Sequence, residues 1–144
     1  MKRCLPISVV VCALALSTSA VAAERVDYRG TSGEPAVGFT AKIRNGEVVK
    51  VTKFRFFNIV LACEGGESIV VDNDRSPLPK MSVDDDRFGD RFTSNNGQRV
   101  KVNGKFSKGG SVAKGSLRIS GDFTDQAGAV LTGCDSGKVK WEAR

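Results

Sequence analysis

The sequence predicts an all-β protein: an antiparallel β-sandwich, or the small β-barrel that the same pattern allows, of about seven to nine short strands. Two observations predict it. From residue 24 onward, short runs alternate apolar with polar side chains, the period of a strand with one buried face. Most of these runs are separated by glycine- or asparagine-rich turn signals, and no stretch of useful length repeats apolar residues at helical spacing.

The chain opens on Met1-Lys2-Arg3, then LPISVVVCALALSTSAVAA, with charge returning at Glu24 and Arg25. A positive start, an apolar middle and a small-residue end are the layout of a secretory signal peptide. Residues 1–23 are read as that leader and residues 24–144 as a single domain. Cleavage after Ala22 or after Ala23 meets the small-residue requirement, and Ala23 is preferred. An uncleaved anchor is the rival, but Pro6 and Ser17-Thr18-Ser19 leave an apolar core too short for a membrane of about 30 Å. A lipoprotein is a second rival; Cys12 follows Val11 rather than a small residue, and Cys4 lies too near the start. The expected location is therefore secreted or cell-envelope associated, with no transmembrane segment after cleavage.

Taking Lys2 and Arg3 from the 22 Lys and Arg of the whole chain leaves 20 against 16 Asp and Glu, so the exported domain carries a net charge of +4. Cys4 and Cys12 leave with the leader, and two cysteines remain, Cys63 and Cys134. In an oxidising compartment an even pair reads as a disulfide. The rival, Cys134 as a nucleophile, needs a base beside it, and the chain contains no histidine.

Along the domain, Val37, Phe39, Ala41 and Ile43 alternate toward Asn45-Gly46, and Val49 and Val51 begin the next run; Asn-Gly between alternating stretches predicts a hairpin. In KFRFFNIVLAC the apolar parity flips near Phe56-Phe57, which predicts a bulge or a strand buried on both faces. Glu64-Gly65-Gly66-Glu67 reads as a turn, Ile69 to Val71 as a strand, and DNDRSPLP (72–79) as a long connection, since proline and charge break any ladder there. Phe88 and Phe92 are expected to re-enter the core before a turn at Asn95-Asn96-Gly97. In RVKVNGKF (99–106) and AKGSLRISGDF (113–123), Val100, Val102 and Phe106 face the same way as Leu117, Ile119 and Phe123, and Gly109-Gly110 between them supplies a second hairpin. Val130 and Leu131 precede a final strand with Val139 and Trp141 inward and Lys138 and Lys140 outward. The sandwich is favoured over the barrel on the expectation that a bridge from a central strand to the end of the chain joins two sheets.

The segments Tyr28-Arg29-Gly30-Thr31, a strand ending in Cys63, the hairpin of Gly104-Lys105-Phe106 and Gly115-Ser116-Leu117, and a closing Cys134-x-Ser136-Gly137-x-x-x-Trp141 form one pattern. It resembles a family of small secreted bacterial proteins of the actinomycete type, and the likeness covers most of the domain. The resemblance implies a compact all-β domain with one disulfide. It implies no activity and no catalytic residues.

Without histidine, serine triads and zinc sites lose their usual base and ligand. Asp84-Asp85-Asp86 with Asp90, and Asp72 with Asp74, are the dense carboxylates. A glycosidase needs two carboxylates facing each other across a cleft, whereas these read as a solvated loop interleaved with Arg87 and Arg91. Calcium would want the EF-hand glycine and distal glutamate, which are out of place. No enzyme, cofactor or metal site is expected.

The sharper expectation is a basic face. Arg99, Lys101, Lys105, Lys114, Arg118, Lys138 and Lys140 take the outward parity of three strands and form a candidate anionic-ligand face if those strands are neighbours. The plainer alternative is a solvated face whose lysines discourage edge pairing. Aromatic interleaving for base stacking is missing, so no specific nucleic acid is expected. The chain is read as a monomeric, non-catalytic module whose partner is an anionic cell-envelope polymer or glycan. The alternative is an extracellular protein-binding or protease-inhibitor-like protein that presents residues 72–82, with Lys80-Met81 as bait. A barrel enclosing a small apolar ligand is a variant suggested by Ala41, Ala113 and Gly115.

Overall fold

A computed structural model describes residues 22–30 and 36–144. The expected leader therefore lies outside the described residues except for Ala22 and Ala23, as does Thr31. The described residues form eleven strands and no helix: β1 (Glu24–Arg29), β2 (Ala36–Arg44), β3 (Glu47–Phe57), β4 (Ile59–Ala62), β5 (Ser68–Val71), β6 (Met81–Ser82), β7 (Arg87–Thr93), β8 (Arg99–Phe106), β9 (Ala113–Thr124), β10 (Val130–Asp135) and β11 (Val139–Ala143). The count passes the seven to nine expected because KFRFFNIVLAC splits in two and because β6, only two residues long, carries no period to read.

The fold is an all-β, sandwich-like pair of antiparallel sheets. The first sheet runs β1-β2-β3-β6, and the second β5-β4-β10-β9-β8-β7. The twelve-residue β9 is long enough to serve two partners on one edge, β10 along its C-terminal half and β11 along its N-terminal half. The sheets are also laced together at their sides. Arg29 and Arg144 exchange backbone hydrogen bonds of 2.9 and 3.0 Å beside a Gly30–Ala143 bridge, and β6 passes into β7 through the Asp84–Arg87 bridge.

Local chemistry accounts for the turns. Asn45 and Gly46 both take positive φ, 53° and 79°, as a two-residue hairpin between β2 and β3 requires. The parity flip in KFRFFNIVLAC is a change of sheet. Phe54 and Phe56 point inward from β3, Asn58 takes φ 55°, and Ile59 and Leu61 point inward from β4 in the other sheet. A separate irregularity at Lys53, φ 52°, lets Val51 and Phe54 both reach the core three positions apart.

The interior is aromatic. Phe39 packs against Tyr28, Phe54, Phe88, Phe106 and Trp141, with centroids 4.9 to 6.0 Å apart. Tyr28 is buried, and its hydroxyl donates to the Gly110 carbonyl, which pins the β8–β9 turn to β1. The space inward of Gly115 is filled by the Trp141 ring, and Ala41 and Ala113 are fully buried. The small inward residues thus make room for neighbouring side chains.

Cys63 and Cys134 form a disulfide with S–S 2.01 Å. Its place corrects the expected staple between sheets: Cys63 directly follows β4, Cys134 lies in β10, and these strands are neighbours in one sheet, with Asp135 opposite Ala62. The bond reinforces a pairing that the ladder itself makes over a single registered pair.

Candidate anionic-ligand face

The outer face of the second sheet is built by β7, β8, β9 and β11. Because β8 and β9 are adjacent and antiparallel, residues far apart in sequence become directly opposed. Lys101 lies across from Arg118, and Lys105 across from Lys114. On the other side of β8, Lys101 faces Arg91 and Lys105 faces Arg87. Two cationic rows cross the strands: Arg87–Lys105–Lys114 and Arg91–Lys101–Arg118.

Between these rows runs a neutral strip, Gly89 opposite Asn103 and Asn103 opposite Ser116, ending at Lys140 opposite Ser116 on β11. Lys101 and Lys105 are four positions apart on β8, about 13 Å of strand. A groove of about 400 Å³ lies on this strip, lined by Arg87, Asn103, Lys105, Lys114, Ser116, Lys138 and Lys140 among others. A second depression of about 590 Å³ lies beyond the other row, where Arg99 stands opposite Thr93 and Ser120. All seven residues expected on this face are on it. Lys138 immediately precedes β11 and joins through the groove.

Arg87 and Arg91 were legible only as charges interleaved with aspartates, and the structure moves them from loop to strand. The missed signal is the spacing of Phe88 and Phe92. Both point inward, which sends Arg87, Gly89 and Arg91 outward, but Asp90 shares the inward parity and hides the alternation. Asp90 stays exposed because β7 edges the sheet.

Two of the cations are partly neutralised. Arg118 donates from Nε and Nη2 to both oxygens of Asp135, at 2.6 to 3.1 Å. That bond, with further help from the Gly137 backbone N–H, holds the Asp135 carboxyl below its ordinary value and raises Arg118. Lys114 pairs with Glu142 at 3.0 Å, and Glu142, also bonded by Arg144, is likewise held low. Among the described residues, Arg87, Arg91, Arg99, Lys101, Lys105, Lys138 and Lys140 have no ion-pair partner. Like charges placed directly opposite on a sheet oppose folding by a few tenths of a kcal/mol to about 1 kcal/mol per pair. Only Arg118 and Lys114 offset this through their pairs with Asp135 and Glu142.

Asp135 and Glu142 share this face and Asp122 lines its second depression, while the other acids sit mostly in turns. Asp84, Asp85 and Asp86 form the exposed β6–β7 turn, with Asp85 and Asp86 at φ 47° and 60°. Asp125 accepts from the Ala127 and Ala129 backbone N–H groups, and Asp122 from that of Gly133 at the β9–β10 irregularity. No group of three His, Cys, Asp or Glu among the described residues is placed to hold a metal ion.

The 72–82 segment is tied along β3. Asn73 Oδ1 accepts from the Phe56 N–H at 2.6 Å while its Nδ2 donates to the Phe54 carbonyl at 3.1 Å, and the Leu78 N–H reaches the same carbonyl at 2.9 Å. Met81 is buried and registered against Val51. Pro79 and Lys80 beside it are exposed.

The disulfide is compatible with an extracellular location, and no helix among the described residues is long and apolar enough to cross a membrane. No family model matches the chain, and neither a curated protein nor a solved structure shows significant similarity to it.

Proposed function

We propose that the protein is an exported, non-catalytic module that binds an anionic polymer or glycan of the cell envelope through the outer face of the second sheet. One observation carries the reading: two rows of directly opposed cations flank a strip of small neutral residues. An extended polyanion laid along Gly89, Asn103 and Ser116 meets Arg87, Lys105 and Lys114 on one side and Arg91, Lys101 and Arg118 on the other. Phosphate, sulfate and carboxylate groups all satisfy such rows, since lysine acts as a point charge and arginine adds a fork of donors.

The test is co-sedimentation of residues 24–144 with envelope fractions at about 50 and about 500 mM salt, the range over which charge-driven binding changes steeply. Binding at low salt, loss at high salt and a weaker dependence in Lys101→Gln/Lys105→Gln support the reading. No binding at either salt, or a double variant that binds as well as the parent, overturns it.

A further inference from the structure

The first sheet has its own outer face, and it too carries cations in register. Arg25 of β1 lies opposite Lys42 of β2, and Lys42 opposite Lys50 of β3. Two residues along each of β1 and β2, Asp27 lies opposite Thr40, whose hydroxyl donates to the carboxylate at 2.6 Å. Beyond that, Arg29 and Arg55 stand on either side of Gly38. A depression of about 470 Å³ lies over this end, lined by Arg29, Gly38, Thr40, Lys53, Arg55 and Phe57 among others. A side chain at 38 would meet only ordinary contact, so packing does not require glycine there; its absence leaves the floor between the arginines low. Arg55 reaches Asp74 only at 3.8 Å, and its Nε is shielded from solvent with no hydrogen-bond partner among the described residues. Arg25, Lys42 and Lys50 have no ion-pair partner among the described residues.

We infer that the outer face of β1, β2 and β3 is a second site for the same class of anionic polymer, so that one molecule holds two polymer strands on opposite sides of the sandwich. This rests on the function proposed above and adds valency to it. The two outer faces of a sandwich point away from each other, with the two sheets about 10 Å apart in the middle. A short polyanion lying on one face does not reach the rows of the other. Three cations in a cross-strand row span about 10 Å at about 4.8 Å per strand, more than one small anion covers, which favours a chain of charges over a free ion. A binder with two such faces cross-links long polymers, and linking sites in this way changes assembly without any new contact.

The experiment uses linear polyphosphate at about 50 mM salt, where such binding is strong. A labelled short oligomer reads site number and affinity by anisotropy, and long chains read cross-linking by light scattering. The variants are Arg25→Gln/Lys42→Gln/Lys50→Gln on the first sheet and Arg91→Gln/Lys101→Gln/Lys105→Gln on the second, each checked for a parental melting curve. Lys42→Gln alone serves if a triple variant fails to fold. Expected are two oligomers per protein for the parent, one for each triple variant with affinity within roughly threefold, and scattering reduced about tenfold or more in both. One oligomer per protein for the parent, or parental scattering from the first-sheet variant, overturns the second site and leaves the proposed function standing. A parent that binds neither probe overturns both.

Discussion

Phe88 and Trp141 stand on strands that are not neighbours, β7 and β11, yet their rings approach to 6.0 Å between centroids. Two glycines make this possible. Phe88, Gly104, Gly115 and Trp141 occupy one cross-strand row, and an added Cβ at Gly104 would overlap the Phe88 ring, while one at Gly115 would overlap the Trp141 ring and the Asn103 carbonyl. Gly115→Ala is therefore expected to destabilise the domain by about 1–3 kcal/mol or more, as overpacked cores do. Chemical denaturation read by the fluorescence of Trp141, the only tryptophan, checks it. An unchanged midpoint would mean that the two rings can move apart at little cost.

Asn73 fastens the 72–82 segment to β3 by two side-chain hydrogen bonds to Phe56 and Phe54. Asn73→Ala leaves the partly buried Phe56 N–H without that partner, a loss of about 1–3 kcal/mol. The effect is local: trypsin cleavage after Arg75 and Lys80 is expected to quicken well before the rest of the domain becomes susceptible. Cleavage rates identical to those of the parent would show that Leu78 and Met81 hold the segment without the asparagine.

Sequence carried the hairpins, the outward cations and the cysteine pairing because each depends on period, turn residues or count, all local. It did not carry what depends on which strands meet. The flip between Phe56 and Ile59 looks the same whether a strand bulges or leaves its sheet, and only the pairing of β4 with β5 and β10 shows that it leaves. For the same reason the Cys63–Cys134 bond was expected to span two sheets. Arg87 and Arg91 were hidden by Asp90, an acid at an inward parity that is permitted only because β7 edges its sheet. The opposition of Lys101 to Arg118 follows from the Gly109-Gly110 turn, whereas the opposition of Lys42 to Lys50 also needs the irregularity between Lys42 and Ile43, which no periodicity announces.

The disulfide closes a sequence separation of 71 residues. In the chain-entropy description such a loop is worth on the order of 4 kcal/mol. Cys63→Ala/Cys134→Ala is expected to lower the melting temperature by roughly 10–20 °C for a domain of this size. Mass measurement of the parent without reductant should find no alkylatable thiol. A double variant with the parental melting temperature would show the bond to be dispensable to the β4–β10 edge.

Asp135 occupies Arg118 at the β9 end of its cationic row, so under the proposed function it links stability to binding. The Arg118 hydrogen bond keeps its folded pKa below the unfolded value of about 3.9. A depressed carboxylate stabilises the fold above its unfolded pKa, and that contribution disappears as pH falls through the folded value. The melting temperature is thus expected to drop on acidification below about pH 4, and Asp135→Asn to shrink the drop while lowering the neutral-pH melt by no more than a few degrees, as partly exposed pairs do. Glu142, held low by Lys114 and Arg144, keeps part of the acid response in that variant. The same substitution frees Arg118 for an anionic ligand, so affinity for polyphosphate should rise and the slope of log affinity against log salt should steepen by about 1. A melt that changes as described with unchanged polyphosphate affinity would place Arg118 outside the bound polymer and confine the contact to Arg91 and Lys101 in that row.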